Sequence, residues 1–151
     1  MDKFIVFAQN QSLFAIDLTT VREVLFLSEQ QITPVPNTLP FLLGLTNLRG
    51  EILAVADFGR SIGTESTHRS HPQSRILVLE APDPRDVKLP LMKVGLAVSS
   101  VEGVQSINSE NIVSAEEVSA ELAPLLRGLY NLQGRLLMIV DVEAIANSDR
   151  W

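Results

Sequence analysis

A stretch of fifteen residues occurs twice in this chain, 84 positions apart. The first copy is Gly44-Leu-Thr-Asn-Leu-Arg-Gly-Glu-Ile-Leu-Ala-Val-Ala-Asp-Phe58 and the second is Gly128-Leu-Tyr-Asn-Leu-Gln-Gly-Arg-Leu-Leu-Met-Ile-Val-Asp-Val142. They share Gly, Leu, Asn, Leu, Gly, Leu and Asp in register. Each reads as a strand, a tight turn and a second strand that is apolar almost throughout. Asn can bond its own backbone at the first position of a four-residue turn, and Gly supplies a permissive φ at the last. That puts Leu48 and Arg49 at the tip of the first turn. The copies part company there, because Gln133 stands where the first has Arg49.

The repeat extends upstream. Phe4–Ala8 and Leu13–Leu18 are short, apolar and separated by Gln9-Asn-Gln-Ser12, which is a hairpin signal. Val21–Leu27 follows as a third strand, with Val21, Glu23 and Leu25 on one face and Arg22, Val24 and Phe26 on the other. Glu23 among apolar neighbours belongs at a rim or an interface, or is an ordinary edge-strand charge. Arg75–Glu80, Val94–Val98 and Val101–Ile107 match these three strands in the second half. The offset grows from 72 to 80 to 84, so the insertions fall in connections, the first of them in Ala81–Met92. Ile32–Pro40 holds three prolines and reads as an extended connector over the first unit. Gly63–Ser74 has no large apolar residue and reads as an exposed linker. Asp57 and Asp141 sit where they would cap short helices, and Ser114-Ala-Glu-Glu117 looks like a capping box.

The expected fold is therefore all-β, mainly antiparallel, with short helices. It has two five-stranded β-barrel subdomains related by a pseudo-two-fold, over approximately 1–63 and 75–147, joined by a linker at 64–74 within a single domain of 1–151. Such lobes are small, and a shared interface between them follows from the need to bury enough surface.

Composition narrows the function. Hydrophobic residues make up 46% of the 151 and aromatics 5%, so the core is aliphatic. Net charge is −6, with 5 basic and 7 acidic residues in 1–74 and 7 and 11 in 75–151. Neither half is a basic footprint, which argues against nucleic acid. There is no cysteine, and hence neither a disulfide nor a thiolate metal site. No signal peptide or apolar span is legible, and the expected location is the cytoplasm.

No catalytic constellation stands out. His68 and His71 are the only histidines, and they lie in the polar linker without further ligands in view. Phosphate-cradling glycine motifs and nucleophile elbows are absent. No metal and no cofactor are expected. Asp57 and Asp141 are caps before they are an acid–base pair. What remains is Arg49, a cation at a turn tip with Leu45 and Leu48 beside it. As a lone residue it reads as a solvated turn cation, whereas an Arg with an apolar collar is a common interface anchor.

Taken together, Ala15-Ile-Asp-Leu-Thr-Thr-Val-Arg-Glu-Val24, Pro34-Val-Pro-Asn37 and Phe41-Leu-Leu-Gly-Leu-Thr-Asn-Leu-Arg-Gly-Glu-Ile-Leu-Ala-Val-Ala-Asp57 resemble the CheW chemotaxis coupling proteins. Val94-Gly-Leu-Ala-Val98, Val101-Glu-Gly-Val104 and Gly134-Arg-Leu-Leu-Met-Ile-Val-Asp141 agree, so the resemblance runs from about residue 3 to 147. It implies two five-stranded barrels around a shared core and a non-catalytic adaptor. Such an adaptor bridges the cytoplasmic tips of methyl-accepting chemoreceptors and the regulatory domain of a CheA-type histidine kinase, in arrays at the inner face of the membrane. Val21, Glu23, Gly44 and Arg49 match family motif positions associated with receptor and kinase contacts. The chain's end at Trp151 favours the stand-alone adaptor over a fusion to a receiver or the kinase itself. The output could be flagellar chemotaxis or pilus-driven or gliding motility. The alternative from a different class is a small-barrel module binding a ligand or an oligonucleotide, which would call for a basic, aromatic strand face.

Overall fold

The protein is described by a computed structural model covering residues 1–36, 40–68, 70–83, 85, 88–115, 118–120 and 122–146. Its strands are β1 (Asp2–Gln9), β2 (Ser12–Asp17), β3 (Val21–Phe26), β4 (Leu42–Leu48), β5 (Glu51–Asp57), β6 (Arg75–Ala81), β7 (Met92–Val98), β8 (Ser100–Ile107), β9 (Leu126–Leu132) and β10 (Arg135–Val140). Short helices follow β5 and β10: α1 (Phe58–Ser61) and α2 (Val142–Ala146). Both start as expected, with Asp57 accepting from the Gly59 amide at 2.9 Å and Asp141 from the Ala144 amide at 3.2 Å.

The strands form two five-stranded sheets, ordered β8-β1-β2-β10-β9 and β3-β6-β7-β5-β4. These sheets cut across the sequence halves 1–63 and 75–147. The third strand of each copy pairs antiparallel with the first strand of the other, β3 on β6 and β8 on β1. The fifth strand of each pairs in parallel with the second strand of the other, β5 on β7 and β10 on β2. Each sheet is thus a hairpin from one copy completed by three strands of the other. The reason lies in the connection after β2. A single 3-10 turn, Leu18–Thr20, capped by Asp17, diverts the chain, while β10 occupies the edge of β2 that a meander would have given to β3. The pseudo-two-fold survives this exchange, because the two strand orders correspond one to one.

Pairing in each sheet is open-ordered, with β3 and β4 at the edges of one and β8 and β9 at the edges of the other. Among the described residues no ladder joins those edges, so the backbone pairing gives sheets and stops short of barrels.

Among the described residues three apolar clusters form the core. The largest lies between the sheets and includes Phe7, Phe14, Phe58, Leu77, Leu79, Leu96 and Val140. Phe58 meets Phe7 and Phe14 edge-on, at centroid distances of 5.4 and 4.8 Å. Each such fully buried ring contributes roughly 1.5–3 kcal/mol by burial. The other two clusters lie within the individual sheets, around Leu53, Val55 and Val78, and around Phe4, Val6 and Leu137.

The structure refines several details. The apolar strand Ile52–Ala56 is buried at Leu53, Val55 and Ala56 and half-buried at Ala54, but Ile52 itself is 67% exposed, and its counterpart Leu136 is 57% exposed. Both lie next to their turns, beyond the reach of the core. The 64–74 linker is not uniformly exposed: Thr67 and Ser74 are buried. The capping box falls partly on residues 116 and 117, outside the described set. The described residues around it carry no helix before the 3-10 turn Ala123–Leu125.

Described residues of the Ala81–Met92 loop include a tight pair. Asp83 accepts from the Arg85 side chain at 3.0 and 2.7 Å and from its amide at 2.9 Å. These bonds, the side-chain ones foremost, hold the Asp83 carboxyl down at about 2. Its folded pKa therefore lies below the unfolded value near 3.9, so the pair stabilises above about pH 4 and the gain is lost as pH falls toward 2. Arg85→Ala should lower the urea midpoint at pH 6 and converge with the parent near pH 2. An equal deficit at both pH values would contradict this account.

Candidate interaction site at the Arg49 turn

Leu48 pairs with Glu51, so the β4–β5 hairpin closes through two residues, Arg49 and Gly50. Both lie at positive φ, 49° and 88°, as a two-residue primed turn requires. The tip is therefore Arg49–Gly50, one position later than the sequence pattern suggests. Asn47 stays in the ladder opposite Ile52 while its side chain accepts from the Gly50 amide at 2.8 Å. The second copy repeats this geometry: Gln133 and Gly134 have φ of 52° and 87°, and Asn131 accepts from the Gly134 amide at 2.7 Å. The turn is architecture in both copies, and only the exposed side chain differs.

The Arg49 guanidinium donates to the Glu23 carboxylate. Glu23 is on β3, the far edge of the sheet, so the pair spans from the β4–β5 hairpin to the opposite edge strand. The hydrogen bond to Glu23, then that residue's charge, raise the Arg49 pKa further, and Glu51 adds to this. The pair belongs to a larger circuit. Arg22 lies 3.5 Å from Glu80, Lys93 lies 4.0 Å from Glu80, and Lys93 bonds Glu51 at 3.0 Å. These residues follow the strand order β3, β6, β7, β5, and Glu51 is two positions from Arg49 in the chain. Three cations and three anions thus alternate around the mouth of the sheet, above a cavity of about 260 Å³. Arg49 is 69% exposed, so the pair adds little stability; its effect is on orientation.

The first sheet has a thinner version of this arrangement. Arg135 Nη2 bonds both oxygens of Glu102, at 2.9 and 2.8 Å, joining the β9–β10 hairpin to edge strand β8. By the repeat offsets these two residues correspond to Arg22 and Glu51, with the charges reversed. Nothing in the sequence pattern signals either arrangement, because the members are scattered over the chain and meet only when the sheet edges approach.

Of the four residues singled out by sequence, the fold brings Glu23 and Arg49 together. Val21 is half-buried against the inter-sheet core. Gly44 is buried, with φ of 147°, under the Pro-rich connector, where Thr33 and Leu45 exchange backbone bonds at 2.8 and 2.9 Å. A Cβ on Gly44 would lie 2.2 Å from the Thr33 carbonyl oxygen. Gly128 stands in the same relation to Val113. Exposed apolar side chains elsewhere on β3 and β5 are Val24, Phe26 and Ile52, Phe26 being stacked under the Arg75 guanidinium at 4.0 Å.

Asp57 is wholly buried and engaged by α1 and Thr67. His71 Nδ1 accepts from the Gln73 amide at 3.1 Å. Among the described residues no group of three or more His, Asp or Glu gathers as a metal site, and no helix is long and apolar enough to cross a membrane.

Comparison with known proteins bears on all of this. A family model described as a CheW-like domain matches residues 3–150. The chemotaxis protein CheW of Klebsiella aerogenes is 28% identical over 148 residues, covering 97% of this chain and 82% of the relative. The Thermotoga maritima CheW is 29% identical over 139 residues, covering 92% and 83%. The crystal structure of the scaffolding protein TtCheW from Thermoanaerobacter tengcongensis superposes with a TM-score of 0.80 at 26% identity, covering 93% of this chain and 84% of that one.

Proposed function

The chain belongs to the CheW-like family, and from that premise we propose how it acts as a non-catalytic adaptor of chemosensory signalling. It couples the cytoplasmic tips of chemoreceptors to the regulatory domain of a CheA-type histidine kinase. It works in the cytoplasm, within receptor arrays at the inner face of the membrane. The observation that carries this reading is the Arg49 turn: a mostly exposed guanidinium on a conformationally fixed two-residue tip, oriented by Glu23 from the opposite sheet edge. A charge so placed suits recognition of a partner's carboxylate or backbone carbonyl. We assign Arg49 and Glu23 to the contact surface itself. Val21 and Gly44 act beneath it, the first by supporting β3 and the second by seating the connector against β4.

Each sheet closes into a small barrel through side chains instead of backbone pairing. The Glu23–Arg49 and Glu102–Arg135 pairs, each linking one edge strand to the hairpin at the other side of its sheet, support this.

The test is co-purification from the native lysate using the tagged chain. Recovery of a CheA-type kinase together with chemoreceptors is expected. Recovery of neither, from cells that contain both, would overturn the reading. The oligonucleotide-binding alternative gains nothing from a mouth whose three cations are matched by three anions.

A further inference from the structure

The connector between the two copies is fastened to both sheets. Thr67 is only 5% exposed. Its hydroxyl lies 3.1 Å from Gln9 Nε2, 3.1 Å from Asp57 Oδ1 and 3.3 Å from the Ala97 carbonyl oxygen. Its amide donates to the Asp57 carboxylate at 3.0 Å. Gln9 ends β1 in the first sheet, whereas Asp57 and Ala97 lie on β5 and β7 in the second. One buried hydroxyl therefore sits at the junction of the two sheets, with capacity to accept from Gln9 while donating to the second sheet. Gln9 Oε1 also accepts from the Ser99 amide at 3.2 Å, so the amide group is used at both ends.

The neighbouring residues hold the same strap. Asn10 Nδ2 donates to Thr64 Oγ1 and to the Glu65 carbonyl, each at 3.3 Å. Arg60 Nε donates to Ser66 Oγ at 2.7 Å. Helix α1 makes room for its passage. A Cβ on Gly59 would lie 2.0 Å from the Glu65 carbonyl oxygen and 2.6 Å from Gln9 Nε2. The second copy has Glu143 at the position of Gly59, exposed, and its Asp141 is only partly buried. Among the described residues the strap is seen on the Gly59 side of the pseudo-two-fold.

We propose that Thr67 is a positioning residue that locks β5, and with it the Arg49 hairpin, to the first sheet. β5 runs without interruption from Glu51, next to the turn, to Asp57, the residue that Thr67 holds. It is flanked on both sides by β4 and β7, so a displacement at its base is transmitted to its tip. The consequence for partner binding rests on the Arg49 reading; the lock does not.

Native-state hydrogen exchange on the parent, Thr67→Val and Thr67→Ser tests it. Loss of a buried hydroxyl that satisfies groups in both sheets should speed exchange of the Thr67, Gly59 and Ser99 amides together, by about 10-fold or more. Thr67→Ser should restore their protection. Because the chain has no cysteine, spin labels at Ser28→Cys and Gln105→Cys can report the distance between the sheets. Thr67→Val should broaden that distribution, and Thr67→Ser should not. Unchanged exchange, or faster exchange at Thr67 alone, would reduce the strap to a local loop and overturn the proposal. If Thr67→Val does not fold, the parent decides: a Thr67 amide exchanging like a free loop while Gly59 and Ser99 stay protected overturns it, and common protection of the three upholds it. Arg49→Ala should leave this protection intact, so that a failed contact site and a failed lock are told apart.

Discussion

Arg49→Glu is expected to abolish receptor-dependent activation of the kinase while leaving the protein folded. The side chain is exposed at a turn tip, so its replacement removes no core contact. The substitution reverses the charge facing any partner and sets a carboxylate beside Glu23 and Glu51, where Arg49 now donates a hydrogen bond and balances both. A hot-spot Arg lost with charge reversal should weaken affinity for the kinase regulatory domain by about 100-fold, as tight interface anchors do. Calorimetric titration would measure the affinity, a reconstituted receptor–kinase assay the activation, and circular dichroism the fold. Gln133→Glu on the equivalent turn is the matched control and should retain activation. A folded Arg49→Glu protein that supports normal activation would remove Arg49 from the contact surface.

Gly44→Ala carries the largest expected stability cost. Two independent demands meet at this position. Its φ of 147° is one that L side chains rarely adopt, and the Thr33 carbonyl oxygen would stand 2.2 Å from the new methyl group. The obstruction is backbone, tied down by two hydrogen bonds to Leu45, so it cannot swing aside as a side chain would. Strain and overpacking together should cost about 3 kcal/mol, read as a lower urea midpoint with unchanged slope. The connector should detach first, seen as fast exchange of the Thr33 and Leu45 amides. A midpoint within experimental error of the parent would show that the connector yields freely. Binding lost in this variant would be secondary to that displacement, which is how a buried glycine can read in sequence as a contact residue.

Much of the local structure was legible because it is written in short-range chemistry. The Asn-x-x-Gly turns, the Asp caps and the strands with their flanking breaks all depend on residues within a few positions of one another. The shift of the hairpin tip from Leu48–Arg49 to Arg49–Gly50 is the limit of that reading. Composition indicates a turn, but the pairing of Leu48 with Glu51 decides which two residues make it. The two buried positions inside the exposed linker escape the sequence for a related reason. Polarity suggests exposure, yet Thr67 is buried because Gln9 and Asp57, 58 and 10 positions away, satisfy it.

By itself the sequence determined that the chain is a doubled β unit, where its turns and caps fall, and which family it resembles. Only the tertiary structure decided which strands share a sheet, what Arg49 touches and what the linker does. The physical reason is the range of the forces involved. Periodicity and turn propensity act between neighbours in the chain. The choice of β6 over β2 as the partner of β3, the pairing of Arg49 with Glu23 and the seating of Thr67 between the sheets are all settled by which backbone edges and buried polar groups remain unsatisfied once the chain has collapsed.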